Sequence, residues 1–270
     1  MTTSVVIPAY NGQKFLDVNL PSVLALGADE IIIVDDASIR PVEASNIKII
    51  RHKSNLGFPI SVNDGFAAAS GDIVILLNQD VKPDKNLLKY TLPHFADPKV
   101  FAVTFNESAS RLPAGRSWAK LYWEHGLLQY KNGTLDNKIH LSAWASGGSA
   151  AFRKSTWDDL KGFDPIFSPG YSEDLDLGIR ATKAGYKIIW DPKCRVRHQS
   201  ESSFNQEFPR RKLQLIKDCN YLLLQWKHIN PKDVPAHVLS LLKRSTRHPG
   251  FLVPILMALS RLLSPNYHTL

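Results

Sequence analysis

Cysteine is nearly absent from this 270-residue chain, which carries only Cys194 and Cys219. Two cysteines make no disulfide framework, and no Cys-x-x-Cys or Cys/His spacing points to zinc, so a reducing, cytoplasmic setting is expected. No Gly-x-Gly-x-x-Gly follows the first strand-like run, where "PAYNGQKF" stands instead, and this excludes a nicotinamide dinucleotide fingerprint. The Gly- and Lys-rich amino-terminal loop of a nucleotidyltransferase is also missing. No basic-aromatic stripe or known binding motif makes nucleic acid an expected partner. Long apolar runs are lacking too: "FLVPILMALSRLL" covers about 13 residues, against the roughly 20 that a bilayer-crossing helix needs. The start "MTTSVVIPAYNG" has no basic region followed by a long apolar core, so no signal peptide is expected.

Acidic residues are scarce in one region only. Residues 1–208 hold 23 Lys/Arg and 23 Asp/Glu, whereas residues 209–270 hold ten basic residues against Asp218 and Asp233, so the whole net charge of +8 lies in the tail. Its "HVLSLLKR" and "FLVPILMALSRLL" runs interleave apolar residues with Lys and Arg, as an interfacial helix on anionic lipid does. A pair of helices packed on the main domain has the same pattern. Elsewhere the composition is ordinary for a globular protein, with 44% hydrophobic and 21% charged residues. The length suits one large domain, or one domain with an appendage.

What is present is an alternation. "SVVIP" (4–8), "EIIIV" (30–34), "IKII" (47–50), "DIVILL" (72–77) and "VFAVTF" (100–105) are short, apolar and β-branched. Between them "KFLDVNLPSVLAL" and "PISVNDGFAAAS" have helical spacing, and "DKNLLKYTLPHF" begins as a helix with Asp84 as N-cap. Strands alternating with helices predict an α/β fold: a mostly parallel twisted sheet with helices on both faces. Residues 107–140 lose the rhythm. A strand-like run then follows Gly147-Gly148, and "SEDLDLGIRATKAG" reads as a helix capped by Ser172. "YKIIW" (186–190) is a further strand, and the tail after about 205 is helical throughout.

Polar and acidic groups fall where these segments end. Asp35 and Asp36 end the second strand, Asp80 the fourth, Glu173, Asp174 and Asp176 open the late helix, and His198 follows the last strand. In an open α/β sheet, ligands bind at the carboxyl ends of strands. Carboxylates and a histidine converging there suit a nucleotide diphosphate with a divalent ion, since magnesium commonly takes one or two carboxylates plus phosphate oxygens. Each group alone has a plainer reading as a turn, a helix cap or a satisfied histidine.

Their order carries more. Through "SVVIPAYNG", "IIIVDDAS", "NLGFPISVNDGFAAASGDIVILLNQD", "ASGGSAAFRKSTWDDLKGFDPIF", "YSEDLDLGIRATKAGYKIIWDP" and "VRHQSESS", residues 4 to about 203 resemble the family 2 inverting glycosyltransferases of GT-A fold. The single-domain, rhamnosyltransferase-like bacterial type is the nearest pattern. The resemblance implies a glycosyltransferase domain over 1–205, with a nucleotide-binding half (1–105) and an acceptor and catalytic half (106–205), and a basic helical extension over 206–270. It implies that Pro8, Tyr10, Asp35 and Asp36 surround the base and ribose, and that Asn55, Gly57 and Asn63 meet the nucleotide. Asn78-Gln79-Asp80 takes the place of the metal-binding Asp-x-Asp element, with Asp80 and His198 on Mg²⁺ or Mn²⁺. Asn78 contributes no charge there, so weaker metal affinity is expected. Gly147 and Gly148 would let backbone approach the donor sugar, having no Cβ.

Asp174 matches the catalytic base, with Glu173 the next candidate. The implied activity is an inverting hexosyl- or deoxyhexosyltransferase of cell-envelope polysaccharide type. It would move one sugar from a nucleotide-diphosphate sugar to a glycan or lipid-linked acceptor. The Gln-x-x-Arg-Trp element of processive members is missing, and "QEFPRRK" at 206–212 has no Trp in place, which favours one transfer per encounter. Asn78 also motivates a rival, a non-catalytic nucleotide-sugar-binding relative of the same fold. The setting implied is cytoplasmic, at the inner face of the cell membrane if the tail meets lipid. Trp118, Trp123 and Trp144 are candidates for stacking on sugar, with core packing as the plainer role.

Overall fold

The computed structural model describes residues 1–109, 117–198 and 208–263. Positions 110–116, those after His198 in "VRHQSESS", and 264–270 therefore lie outside the described residues. The chain opens with β1 (Thr3–Ala9), α1 (Gln13–Leu24), β2 (Glu30–Asp35), β3 (Lys48–Arg51), α2 (Phe58–Ala68) and β4 (Ile73–Leu77). Strands β3-β2-β1-β4 lie side by side and parallel, so their carboxyl ends share one edge. All five residues of β4 are buried, as an unbroken apolar run requires when helices cover both faces of a sheet.

The second stretch runs β5 (Val81–Pro83), α3 (Leu87–Thr91), β6 (Val100–Ala109), β7 (Ala119–Glu124), β8 (Leu127–Asn132), β9 (His140–Leu141), β10 (Ser149–Arg153), α4 (Lys154–Asp159), α5 (Glu173–Lys183) and β11 (Lys187–His198). It extends the sheet beyond β4 in the order β10-β6-β11-β5, with β9 on β11. β10 is antiparallel to both of its neighbours, whereas β11 runs parallel to β6. The tail forms α6 (Arg210–His228), α7 (Val234–Arg247) and α8 (Leu252–Leu263).

Side chains alternate across the sheet with period 2. Val5 and Ile7 of β1 join Leu16, Ile75 and Phe95 in one core, while Val6 joins Val62, Phe66 and Trp157 in the other. Phe66 stacks on Trp157 with centroids 3.8 Å apart. A third core holds Leu128 of β8 and Phe167 together with Cys219, Leu222 and Leu223 of α6 and Ala258 of α8. The tail helices therefore pack on β8 and the turn around Phe167.

Local details depart from the sequence reading. Asp84 accepts the Asn86 N–H at 2.8 Å and closes a turn, so α3 starts only at Leu87. A 3₁₀ turn over Leu92–Ala96 ends it, because Pro93 has no N–H to continue the ladder. Ser172 makes no side-chain cap: it sits at φ 76°, and Tyr171 before it at φ 78°, in the left-handed region. Within the stretch 107–140, β7 and β8 pair as an antiparallel hairpin. The strand read as ending at Trp190 continues through an irregularity between Asp191 and Arg195 to His198.

Candidate active site

Three parallel strands deliver their ends to one cleft of about 260 Å³, lined among others by Pro8, Tyr10, Asp36, Asn55, Gly57 and Asp80. The loop after β4 is bolted to the loop after β1 by Gln79. Its Oε1 accepts the Tyr10 N–H at 3.1 Å, and its Nε2 donates to the Tyr10 carbonyl at 3.2 Å. A Cβ on Gly12 would fall 1.7 Å from that Oε1, so glycine is required there. Gln79 went unassigned in the sequence because its partner lies 69 residues away.

The two aspartates after β2 separate in role. Asp36 accepts the Leu56 and Gly57 N–H groups at 2.8 and 2.9 Å and faces His52 Nδ1 at 2.8 Å. It thereby fixes the loop that presents Asn55. Gly57 has φ 90°, and a Cβ there would lie 3.0 Å from Pro169 Cα. Asp35, by contrast, turns into its own loop. It accepts the N–H groups of Ser38 and Val42 at 3.0 Å each and pairs with Arg51. Burial raises its carboxyl pKa, but the Ser38 and Val42 hydrogen bonds and Arg51 outweigh that and hold it below its ordinary value. Asp35 does not line the cleft: its oxygens are engaged within its own loop.

Asn63 likewise does not line either cleft. Its amide exchanges two hydrogen bonds with the Phe163 backbone, at 2.7 and 2.9 Å, and clamps α2 to the loop before α5.

Asp80 lines this cleft, whereas His198 and Glu107 line a wider one beside it: His198 Nε2 lies 2.9 Å from Asp80 Oδ1, and its Nδ1 lies 2.9 Å from Glu107 Oε1. Ser149 donates to the other Glu107 oxygen at 2.9 Å. Burial disfavours the imidazolium, but the two carboxylates prevail and hold His198 up to about 10. Glu107 was missed in the sequence, although it sits near the end of β6 as Asp80 sits just after β4.

Phe58 and Asn78 line both this cleft and a wider one of about 920 Å³ that contains Gly147, Glu173 and Asp174. Gly147 donates its N–H to Asp174 Oδ2 at 3.2 Å, and Leu175 N–H donates to Oδ1 at 2.9 Å. Glu173 is buried, and its Oε2 has no hydrogen-bond partner among the described residues. Burial first, and then the neighbouring Asp174, push the Glu173 carboxyl well above its ordinary range. Trp144 lines the wider cleft and meets Tyr130 edge-on at 5.8 Å. Trp118 stacks on His140 at 4.7 Å, and Trp123 packs against the third core.

The expected purpose of Gly148 is corrected. A Cβ there would stand 2.5 Å from Asn78 Nδ2, so the space is filled by Asn78 and not left open for a sugar. Gly148→Ala is expected to cost about 1–3 kcal/mol through overpacking, read as a lower thermal midpoint. At Gly147 a Cβ would make only ordinary contacts, from 3.4 Å outward.

Elements outside the cleft hold α5 in place. Asn220 of α6 donates to the carbonyls of Phe167 and Gly170 at 2.7 and 2.8 Å, just before the Glu173-Asp174 pair. Arg261 of α8 in turn donates to Asn220 Oδ1 at 2.7 Å. Away from the cleft, His94, Asp191 and Cys194 place one ligand-type atom each within 4.8 Å of one another, a grouping that spacing in the sequence did not reveal. Burial pushes the Cys194 thiol up to about 12, and Thr91 donates to its sulfur at 3.3 Å, as in a packed interior.

Comparison with known proteins bears on the family and the fold. The family described as "Glycosyl transferase family 2" matches residues 4–160. The "Pre-mycofactocin glycosyltransferase" of Mycobacterium tuberculosis is 28% identical over 216 residues, covering 77% of this chain and 45% of that protein. This chain therefore spans less than half of that relative. The "N-acetylglucosaminyl-diphospho-decaprenol L-rhamnosyltransferase" of the same organism is 24% identical and covers 68% of each chain. Among solved structures, "GalNAc-T7 with UDP, GalNAc and Mn2+" superposes with a TM-score of 0.64 at 17% identity, over 83% of this chain and 47% of that one, which supports the GT-A fold. Matched by that family's model over residues 4–160, more than half of its length, this chain belongs to glycosyl transferase family 2.

Proposed function

We propose that this protein is a metal-dependent inverting glycosyltransferase that moves one sugar from a nucleotide-diphosphate sugar to a glycan or lipid-linked acceptor. The observation that carries this is continuity. A cleft lined by Asp80 opens through Phe58 and Asn78 into a chamber lined by His198, where Asp174 is held by the Gly147 N–H. The nucleotide lies in the narrow part against Pro8, Tyr10, Asn55 and Gly57. Asp36 serves by holding the loop that carries Asn55 and Gly57. The donor sugar then projects past Asn78 toward Asp174.

In the proposed displacement, the acceptor hydroxyl oxygen bonds to the anomeric carbon from the face opposite the diphosphate. The carbon–oxygen bond to the diphosphate breaks, and its electron pair leaves with the nucleoside diphosphate. Asp174 takes the hydroxyl proton. Asp80 and His198 would hold a divalent cation: a buried carboxylate and an imidazole that gives up its proton on binding are a donor set for Mn²⁺ or Mg²⁺, with Glu107 on the other ring nitrogen to orient the imidazole. When bound, such an ion offsets the charge of the diphosphate and makes it a better leaving group. Asn78 lies against Gly148 at the junction and orients the sugar end of the donor.

Nucleoside diphosphates and nucleotide sugars, screened by thermal melting with and without Mn²⁺, test this reading. At a ligand concentration of about 100 Kd, binding to the folded state adds about 2.7 kcal/mol, so one nucleotide class is expected to raise the midpoint in a Mn²⁺-dependent way. Transfer is expected to stop in EDTA and return with Mn²⁺. Transfer undiminished in EDTA would remove Asp80 and His198 from the metal role. A folded sample that no nucleotide stabilises would favour a non-catalytic relative.

The decaprenol-linked substrate printed in the name of the mycobacterial rhamnosyltransferase, together with the basic tail, supports a lipid-linked acceptor at the inner face of the membrane. No helix among the described residues is long and apolar enough to cross a membrane.

A further inference from the structure

We propose that α7 and α8 form a surface that docks on anionic lipid, with α8 lying in the headgroup plane. The observation is an inversion of α8. Its inward face carries Pro254, Ala258 and Arg261, while its exposed large residues are Leu252, Val253, Leu256, Leu259, Leu262 and Leu263. Arg261 is buried because its guanidinium donates to Asn220 Oδ1 at 2.7 Å and to the Ile166 carbonyl at 3.3 Å. The single charge of this helix is therefore engaged inside the protein, and solvent meets a leucine face. A surface helix ordinarily has the opposite arrangement, and a contiguous exposed apolar patch marks an interaction site.

Helix α7 adds to this. Among its residues only His237 is buried, and Val234, Val238, Leu239 and Leu242 are exposed. Lys243 and Arg247 stand exposed at its end, and the turn Pro249–Phe251 leads directly into α8. Charge selects the occupant. Residues 234–263, which form α7 and α8, hold Lys243, Arg244, Arg247 and Arg261 and no acidic residue, so a second copy of the same face would bring like charges together. An anionic bilayer supplies both the opposite charge and an apolar layer. Twelve residues are too few to span the bilayer but suit a helix lying in the interface.

The face is also mechanically joined to the chamber. Arg261 holds Asn220, Asn220 holds the Phe167 and Gly170 carbonyls, and Lys217, Asp218 and Tyr221 of α6 line the chamber wall. Docking would thus present the acceptor side to the lipid from which a lipid-linked acceptor comes. That last step rests on the glycosyltransferase reading; the docking itself does not.

The test is flotation of the full chain with vesicles of phosphatidylcholine alone or mixed with phosphatidylglycerol. Binding to the mixed vesicles that weakens with salt is expected. The double variant L256E/L259E alters two exposed positions, and its fold is checked by an unchanged thermal midpoint. It is expected to lose about tenfold or more in partitioning. K243E/R247E is expected to lose binding to the mixed vesicles at low salt. Absence of flotation, or flotation that L256E/L259E does not weaken, overturns the proposal. A dimer in solution that L256E/L259E dissolves, with no flotation, assigns the face to a second copy and overturns it as well. Nucleotide-dependent melting is read on the same samples, so failure to bind lipid and failure of the transferase reading are told apart.

Discussion

Asp174→Asn is expected to lose about 10²–10⁴-fold in turnover, the contribution typical of a positioned general base, with nucleoside diphosphate binding unchanged. The argument rests on the contrast within the Glu173-Asp174 pair. Glu173 is buried, has an oxygen without a hydrogen-bond partner among the described residues, and is pushed toward its protonated form by burial and by the adjacent Asp174. Two neighbouring carboxylates that share a dry site do not both ionise. A protonated Glu173 has no capacity to accept a second proton from the acceptor, whereas Asp174 lines the chamber with both oxygens oriented by backbone N–H groups. Glu173→Gln supplies the discriminating measurement. An amide mimics a neutral carboxylic acid in shape and hydrogen bonding, so a loss of less than about tenfold is expected, against the 10²–10⁴-fold expected for removal of a base. If the two variants exchange these effects, the base is Glu173. Binding of the nucleoside diphosphate, followed by melting, separates lost chemistry from lost folding in both.

The parts of this arrangement that were legible in the sequence are those carried by local pattern. β1, β2 and β4 announce themselves as short apolar runs, and the polar residues after them fall at the sheet edge because parallel strands place their carboxyl ends together. Asp80 and His198 were paired only through the family resemblance, since 118 residues separate them. What stayed hidden is tertiary. Gln79 reads as an ordinary turn residue until its amide is seen bridging the two backbone bonds of Tyr10. Asp35 and Asp36 are adjacent and chemically identical, yet successive side chains at a strand end point to opposite sides, and only one reaches the cleft. Composition assigned the tail two possible destinies. The structure shows packing for α6, whose Cys219 and Leu222 are buried in a core with Leu128, while the exposed leucines of α8 are what the lipid-docking proposal rests on.

The second large effect is expected at a residue that the sequence reading placed only in a helix start. Asp176 is fully buried on α5, two positions after Asp174, and gathers three basic side chains. Arg180 Nε approaches at 2.7 Å, Lys227 Nζ at 2.9 Å and His228 Nε2 at 2.7 Å, so α5 is tied to α6 by charge. Burial would raise the Asp176 carboxyl, yet the His228 hydrogen bond and then Arg180 and Lys227 hold it down to about 2. A folded-state pKa below the ordinary value of 3.8 means stability that is fully present above about 4 and is lost as pH falls through about 2. The depression corresponds to about 2 kcal/mol. Asp176→Ala goes further, because it leaves two cations and an imidazole facing a vacated site. Breaking a buried pair by removing one partner costs about 3–5 kcal/mol, and the partial exposure of Lys227 places this case at the lower end of that range. A fall in melting midpoint of roughly 6–12 °C is expected for a loss of about 3 kcal/mol in a chain of this size. Activity measured well below that midpoint then distinguishes two roles. If α6 only stabilises, the folded variant keeps its turnover. If the ion cluster also sets the orientation of the Asp174 helix, turnover falls in the folded protein while KM for the donor holds, and Asp176→Glu restores part of it.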